Sequence, residues 1–166
     1  MAKFQTNKID HTGITVSNID ASLAFWRDVF GFEVTEKRRL KGEFFETLTG
    51  VPGAELEVAN VEAPGHQIEL LQYHIPGERR ASELRPCDPG FVHLAFEVAD
   101  IDAVIAAIRA GGYEPVSPPL TAEAGARKGW RAVYTRDPDG NVIEFLQLCS
   151  RVGRAAALHN DVASNA

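Results

Sequence analysis

Four side chains in this sequence have types and contexts that suit metal-assisted chemistry. His11 and His93 open apolar-alternating stretches, and Glu69 and Glu144 sit in the middle of two others. Gln67-Ile68-Glu69-Leu70-Leu71-Gln72 returns later as Asn141-Val142-Ile143-Glu144-Phe145-Leu146-Gln147, so that Ile-Glu-Leu-Leu-Gln becomes Ile-Glu-Phe-Leu-Gln. A carboxylate inside an apolar strand pattern is costly unless it is paired or bound to a metal. Imidazole nitrogens with carboxylate oxygens suit a borderline or hard divalent ion, Zn, Fe(II), Mn, Ni or Co. A single strand histidine is most often a satisfied core or surface residue, and a single strand glutamate most often faces water. Repetition of both in register favours one shared metal site made of His11, Glu69, His93 and Glu144.

The elements that must position them repeat as well. Residues 9–17 alternate, with Ile14 and Val16 on one face and His11, Gly13 and Thr15 on the other. Ser17-Asn18-Ile19-Asp20 offers N-cap residues to a helix carrying Leu23, Trp26 and Phe30, which Gly31 stops. Residues 32–40, 43–49, 55–58 and 66–73 are expected as strands. The pattern restarts at Phe91, with His93, Ala95 and Glu97 opposite Leu94, Phe96 and Val98. Asp100 is expected to cap a helix bearing Ile101, Val104, Ile105 and Ile108, ended by Gly111-Gly112. Strands are expected at about 113–117 and 130–136. Asp137-Pro138-Asp139-Gly140 is a turn leading into 141–148. The segment His11–Asp20 matches His93–Asp102 at an offset of 82, and Glu69 matches Glu144 at an offset of 75. The chain is therefore an internal duplication. Its expected parts are an N-terminal extension 1–8, a first module 9–73, a linker 74–90 rich in charge, Pro and Gly, a second module 91–148, and a tail 149–166.

Composition narrows the class. The 166 residues are 45% hydrophobic and 24% charged, as in a globular protein. Seventeen basic against 23 acidic residues give a net charge of −6, which argues against a nucleic-acid surface. With neither an apolar leader nor a run of membrane-spanning length, a cytoplasmic protein with no membrane partner is expected. Cys87 and Cys149 belong to no C-x-x-C pattern and read as reduced thiols.

These residues resemble the vicinal oxygen chelate superfamily, which includes glyoxalase I, methylmalonyl-CoA epimerase, extradiol dioxygenases and the bleomycin- and fosfomycin-resistance proteins. The resemblance rests on His11 with Ile14 and Val16, Phe25-Trp26 before Gly31-Phe32, Ile68-Glu69-Leu70, His93 with Phe96 and Val98, and Asp137 to Glu144, and it covers about residues 8–148. It implies an α+β fold of two tandem βαβββ modules, curled as a cupped mixed sheet around a metal. It places His11, Glu69, His93 and Glu144 on the family's four metal positions, a set similar to that of the glyoxalase I and epimerase branches. The implied reaction is proton transfer next to a carbonyl through a metal-bound enediolate, with Glu144 or Glu69 as base, on a small substrate with vicinal oxygens. A homodimer is implied by analogy. Fe(II) ring-cleaving dioxygenation is the alternative, with His66 and His74 as spare histidines, both expected in loops. A non-catalytic, antibiotic-type binding protein is a third. Phe44, Phe45, Trp130 and Tyr134 are candidates for an apolar lining. Arg127, Lys128 and Arg131, near an irregular segment at about 119–130, are candidates for holding an anionic group or forming a lid.

Overall fold

The computed structural model describes residues 4–80 and 84–148; the expected tail 149–166, with Cys149, lies outside the described residues. The described chain is a mixed α+β fold with two separate mixed sheets. Two compact units divide it. The first runs to Phe91 and also takes in Asp137–Asn141; the second spans Val92–Arg136 and resumes at Val142.

In the first unit, β1 (His11–Thr15) lies parallel to β5 (His66–Ile75), which pairs antiparallel with β4 (Glu55–Ala63). β2 (Glu33–Val34) and β3 (Arg38–Lys41) both pair with β4. The expected single strand over 32–40 is split because Thr35 interrupts the ladder. Its N–H donates to the Asn60 carbonyl, and its hydroxyl accepts from the Asn60 N–H. Period-2 alternation holds on β1 and β5: Ile68 and Leu70 are fully buried, while Gln67 and Glu69, which alternate with them, stay partly open.

The helix α1 (Ile19–Ala24) starts where expected. The Asn18 side chain accepts from the Ala21 N–H, and the chain continues through a wider π-type turn, Phe25–Val29, to Gly31 at φ 70°. The helix packs on β4 and β5. Trp26 lies at its base at 0% exposure, stacked on Phe32 at 6.0 Å and edge-on to Phe25 at 5.4 Å.

One expected strand is a helix. Residues 43–49 form α2 (Glu43–Thr49), whose bounds are set by Gly42 at φ 104° and a left-handed Gly50. Phe44, Phe45 and Leu48 fit helical as well as extended spacing, and Glu43 and Glu46 in the first turn favour the helix dipole. With a glycine at each end adopting a positive φ, the segment closes on itself instead of pairing with β4.

In the second unit the sheet order is β6 (Leu94–Glu97), β9 (Val142–Gln147), β8 (Arg131–Arg136), β7 (Leu120–Thr121), with β6 and β9 parallel. Asp100 caps α3 (Ile101–Ala110), accepting from the N–H groups of Asp102 and Ala103. The strand expected at 113–117 is absent. Pro115, Pro118 and Pro119 bring no N–H to a ladder, and Val116 makes one backbone bond, to Tyr134 at 2.8 Å. β7 lies later, at Leu120–Thr121, and pairs with β8.

The turn before β9 is built by Asp137. This carboxylate is 5% exposed and accepts from the N–H groups of Asp139 and Asn141 and from the Asn141 side-chain amide. Burial pushes its carboxyl above the usual range, against the pull of those hydrogen bonds. The turn belongs to the first unit, where the Asp139 carboxylate accepts from the Ser17 N–H at 3.0 and 3.1 Å.

Candidate functional site: two His–Glu pairs

Each unit brings one histidine to one glutamate by the same register. On the first sheet Gly13 lies opposite Glu69, so His11, two residues earlier, shares that face. On the second sheet Ala95 lies opposite Glu144, and His93 stands two residues before it. Across the other edge, Glu69 faces Asn60 and Glu144 faces Tyr134. Two rows result, Gly13–Glu69–Asn60 and Ala95–Glu144–Tyr134.

The pairs differ in tightness. His93 Nε2 is 3.1 Å from Glu144 Oε2, within hydrogen-bond reach, whereas His11 Nε2 is 3.6 Å from Glu69 Oε2. The Glu144 side chain is 14% exposed and that of Glu69 25%, so the second carboxylate is the more enclosed. Tyr134 stands 5.4 Å from His93, ring to ring. Burial first, and the Glu144 charge second, hold its phenol above the ordinary value. His11 has a carboxylate on its other nitrogen too, with Nδ1 3.1 Å from Asp10 Oδ2.

The spacing within each pair is close to that of two donors on one divalent ion. Ligand atoms about 2.1 Å from one ion stand about 3.0 Å apart at a right angle and about 3.4 Å apart at a tetrahedral angle; the two N···O distances lie close to that range. Two donors are fewer than a protein metal site needs. Among the described residues no group of three or more His, Cys, Asp or Glu side chains is gathered that would hold an ion.

Other candidates go elsewhere. His66 and His74 lie on β5 rather than in loops, on the face opposite Glu69. His66 Nε2 is 2.8 Å from Thr12 Oγ1, and His74 Nε2 is 3.4 Å from Glu57. Arg131 is committed to Asp102, both nitrogens of its fork engaging the carboxylate at 2.7 and 2.8 Å. The Arg127 guanidinium covers the Trp130 ring at 5.1 Å. Residues 122–130 form a closed loop, with Ala122 bonded to Trp130 and Gly129 to Ala122 at 2.8 Å. Phe44 projects from α2 at 69% exposure, edge-on to Phe45. Among the aromatic candidates, Tyr134 stands beside the His93–Glu144 pair.

Sequence reasoning missed a third repeated residue. Gln72 Oε1 accepts from the Ile19 N–H at 2.7 Å, and Gln147 Oε1 from the Ile101 N–H at 3.2 Å. The signal was present: glutamine ends both copies of Ile-Glu-x-Leu-Gln. Within each copy the glutamate serves one face of the sheet and the glutamine holds the helix on the other.

An α+β chain with two mixed sheets, each backed by a helix, has the fold of glyoxalase family proteins. A glyoxalase family protein from Bacillus cereus has the same fold, with a TM-score of 0.78 over 90% of this chain and 99% of that one, at 23% identity. The model of the Glyoxalase/Bleomycin resistance protein/Dioxygenase superfamily matches residues 8–145, and the chain belongs to that family. Its relatives include a 2-epi-5-epi-valiolone epimerase of an Actinomyces species, 31% identical over 84% of this chain and 79% of that protein. They also include the lactoylglutathione lyase of Haemophilus influenzae, 30% identical over 84% and 92%.

Proposed function

We propose that the protein is a metal-dependent enzyme of the glyoxalase I/epimerase type, which moves a proton on the carbon next to a carbonyl of a small substrate with vicinal oxygens. The observation that carries this is the duplicated His–Glu pair, one per unit, in the same register. His11, Glu69, His93 and Glu144 together would hold one divalent ion, Zn, Ni, Co, Mn or Fe(II), which neither pair completes alone. When bound, such an ion supplies Lewis-acid polarisation of the substrate oxygens. The relatives named as a lyase and an epimerase support this class of reaction.

The protein's own groups would then carry the proton. Glu144 lies 3.1 Å from His93 Nε2 and is enclosed beside Tyr134, the more confined of the two carboxylates, which favours a retained ligand. Glu69 is the less restrained carboxylate, 3.6 Å from His11 and opposite the neutral Asn60, and is the better placed to take a proton from the substrate carbon.

The test is to load the full chain with each divalent ion, supply a 1,2-dicarbonyl–thiol adduct or a vicinal hydroxyketone in D2O, and follow deuterium at the carbon next to the carbonyl by NMR. Exchange that disappears in Glu69→Gln while metal is retained supports the assignment. No exchange with any ion overturns it. Oxygen consumption with catechols by iron-loaded protein would replace it with ring cleavage, and tight binding without turnover with a binding protein.

A further inference from the structure

We infer that Asp10 is a positioning residue for the His11–Glu69 pair: its carboxylate fixes the imidazole so that Nε2 offers its lone pair toward Glu69. The inference rests on the metal reading proposed above.

An imidazole can give a lone pair to an ion from only the nitrogen that carries no proton, so its tautomer decides whether it ligates. His11 lies between two carboxylates, Asp10 Oδ2 at 3.1 Å from Nδ1 and Glu69 Oε2 at 3.6 Å from Nε2. The first contact is of hydrogen-bond length and the second is not. The ring proton therefore belongs on Nδ1, donated to Asp10, with the Nε2 lone pair turned toward Glu69. A carboxylate behind a ligating histidine orients the ring and raises its basicity. Asp10 is itself held, its other oxygen standing 2.9 Å from Lys8 Nζ.

The experiment uses the full chain with Asp10→Ala, Asp10→Asn and Lys8→Ala. Zinc affinity is measured by competition with a chelator. The His11 tautomer is read from two-bond proton–nitrogen spectra above the imidazole titration, with His11→Gln identifying the signals. Asp10→Ala should bind zinc about 10- to 100-fold more weakly, Asp10→Asn should fall between it and the wild type, and Lys8→Ala should stay near the wild type. The wild-type metal-free ring should show hydrogen on Nδ1, and Asp10→Ala a mixture, with melting temperatures alike because Asp10 is exposed. Hydrogen on Nε2 in the wild type, or undiminished zinc affinity in Asp10→Ala, would overturn the inference. If the wild type takes up no divalent ion, the metal reading falls on its own and the tautomer alone decides the role of Asp10.

Discussion

Glu69 and Gln72 are three residues apart on one strand and leave the sheet on opposite faces, the glutamate toward His11 and the glutamine onto the Ile19 N–H at 2.7 Å. Glu144 and Gln147 repeat the arrangement with His93 and Ile101. The repeated pentapeptide is thus a two-sided device, fixing the helix that backs each sheet while presenting the carboxylate in front.

Truncating either glutamine strands a backbone N–H at a buried helix start, since Ile19 and Ile101 are almost wholly buried. Gln72→Ala and Gln147→Ala should each lose about 1–3 kcal/mol, the cost of an unmade bond to a buried donor. Urea unfolding measures it. A loss within error of zero in both would mean that water replaces the glutamine.

Removing a proposed ligand should cost more than removing a residue that supports one. His11→Ala, His93→Ala and Glu144→Ala are each expected to weaken zinc or cobalt binding beyond the about 10- to 100-fold typical of supporting residues. Titration calorimetry on the three variants checks this. If the His11 variant binds as well as the wild type, while those of His93 and Glu144 do not, the two pairs do not share an ion.

Asp137 should leave a mark on acid stability. Its folded carboxyl titrates above its unfolded value, so the unfolded chain ionises first as pH rises from about 4. Over that window the native state holds the extra proton, and stability falls with rising pH, by at most about 1.4 kcal/mol per pH unit. Asp137→Asn removes the titration. The difference between wild-type and variant stability curves should slope in this sense, and a difference that is flat or rises with pH would contradict it.

Gly13 faces Glu69 where the second half has Ala95. A Cβ at Gly13 would meet the Leu71 Cδ1 methyl at 3.3 Å, a flexible end that can yield. Gly13→Ala should therefore shift stability by less than about 1 kcal/mol and preserve metal binding. A large loss would show that the open space beside Glu69 is itself required.

The sequence by itself determined the duplication, the faces of β1, β5, β6 and β9, the Asp100 cap and the segment that caps the first helix, and the in-register His and Glu of each half. Those follow from periodicity and local capping, which need no distant partner. It did not determine residues 43–49, where aromatic spacing suits both states and two glycines with positive φ decided for a helix. Nor could it show Arg131 spent on Asp102, Gln72 and Gln147 reaching back to helix starts, or the 137–141 turn belonging to the first unit through Asp139 and Ser17. Each of these joins residues far apart in the chain. A side chain's own neighbours in sequence set the face it occupies, but the partner it meets there is fixed only when distant strands come into register.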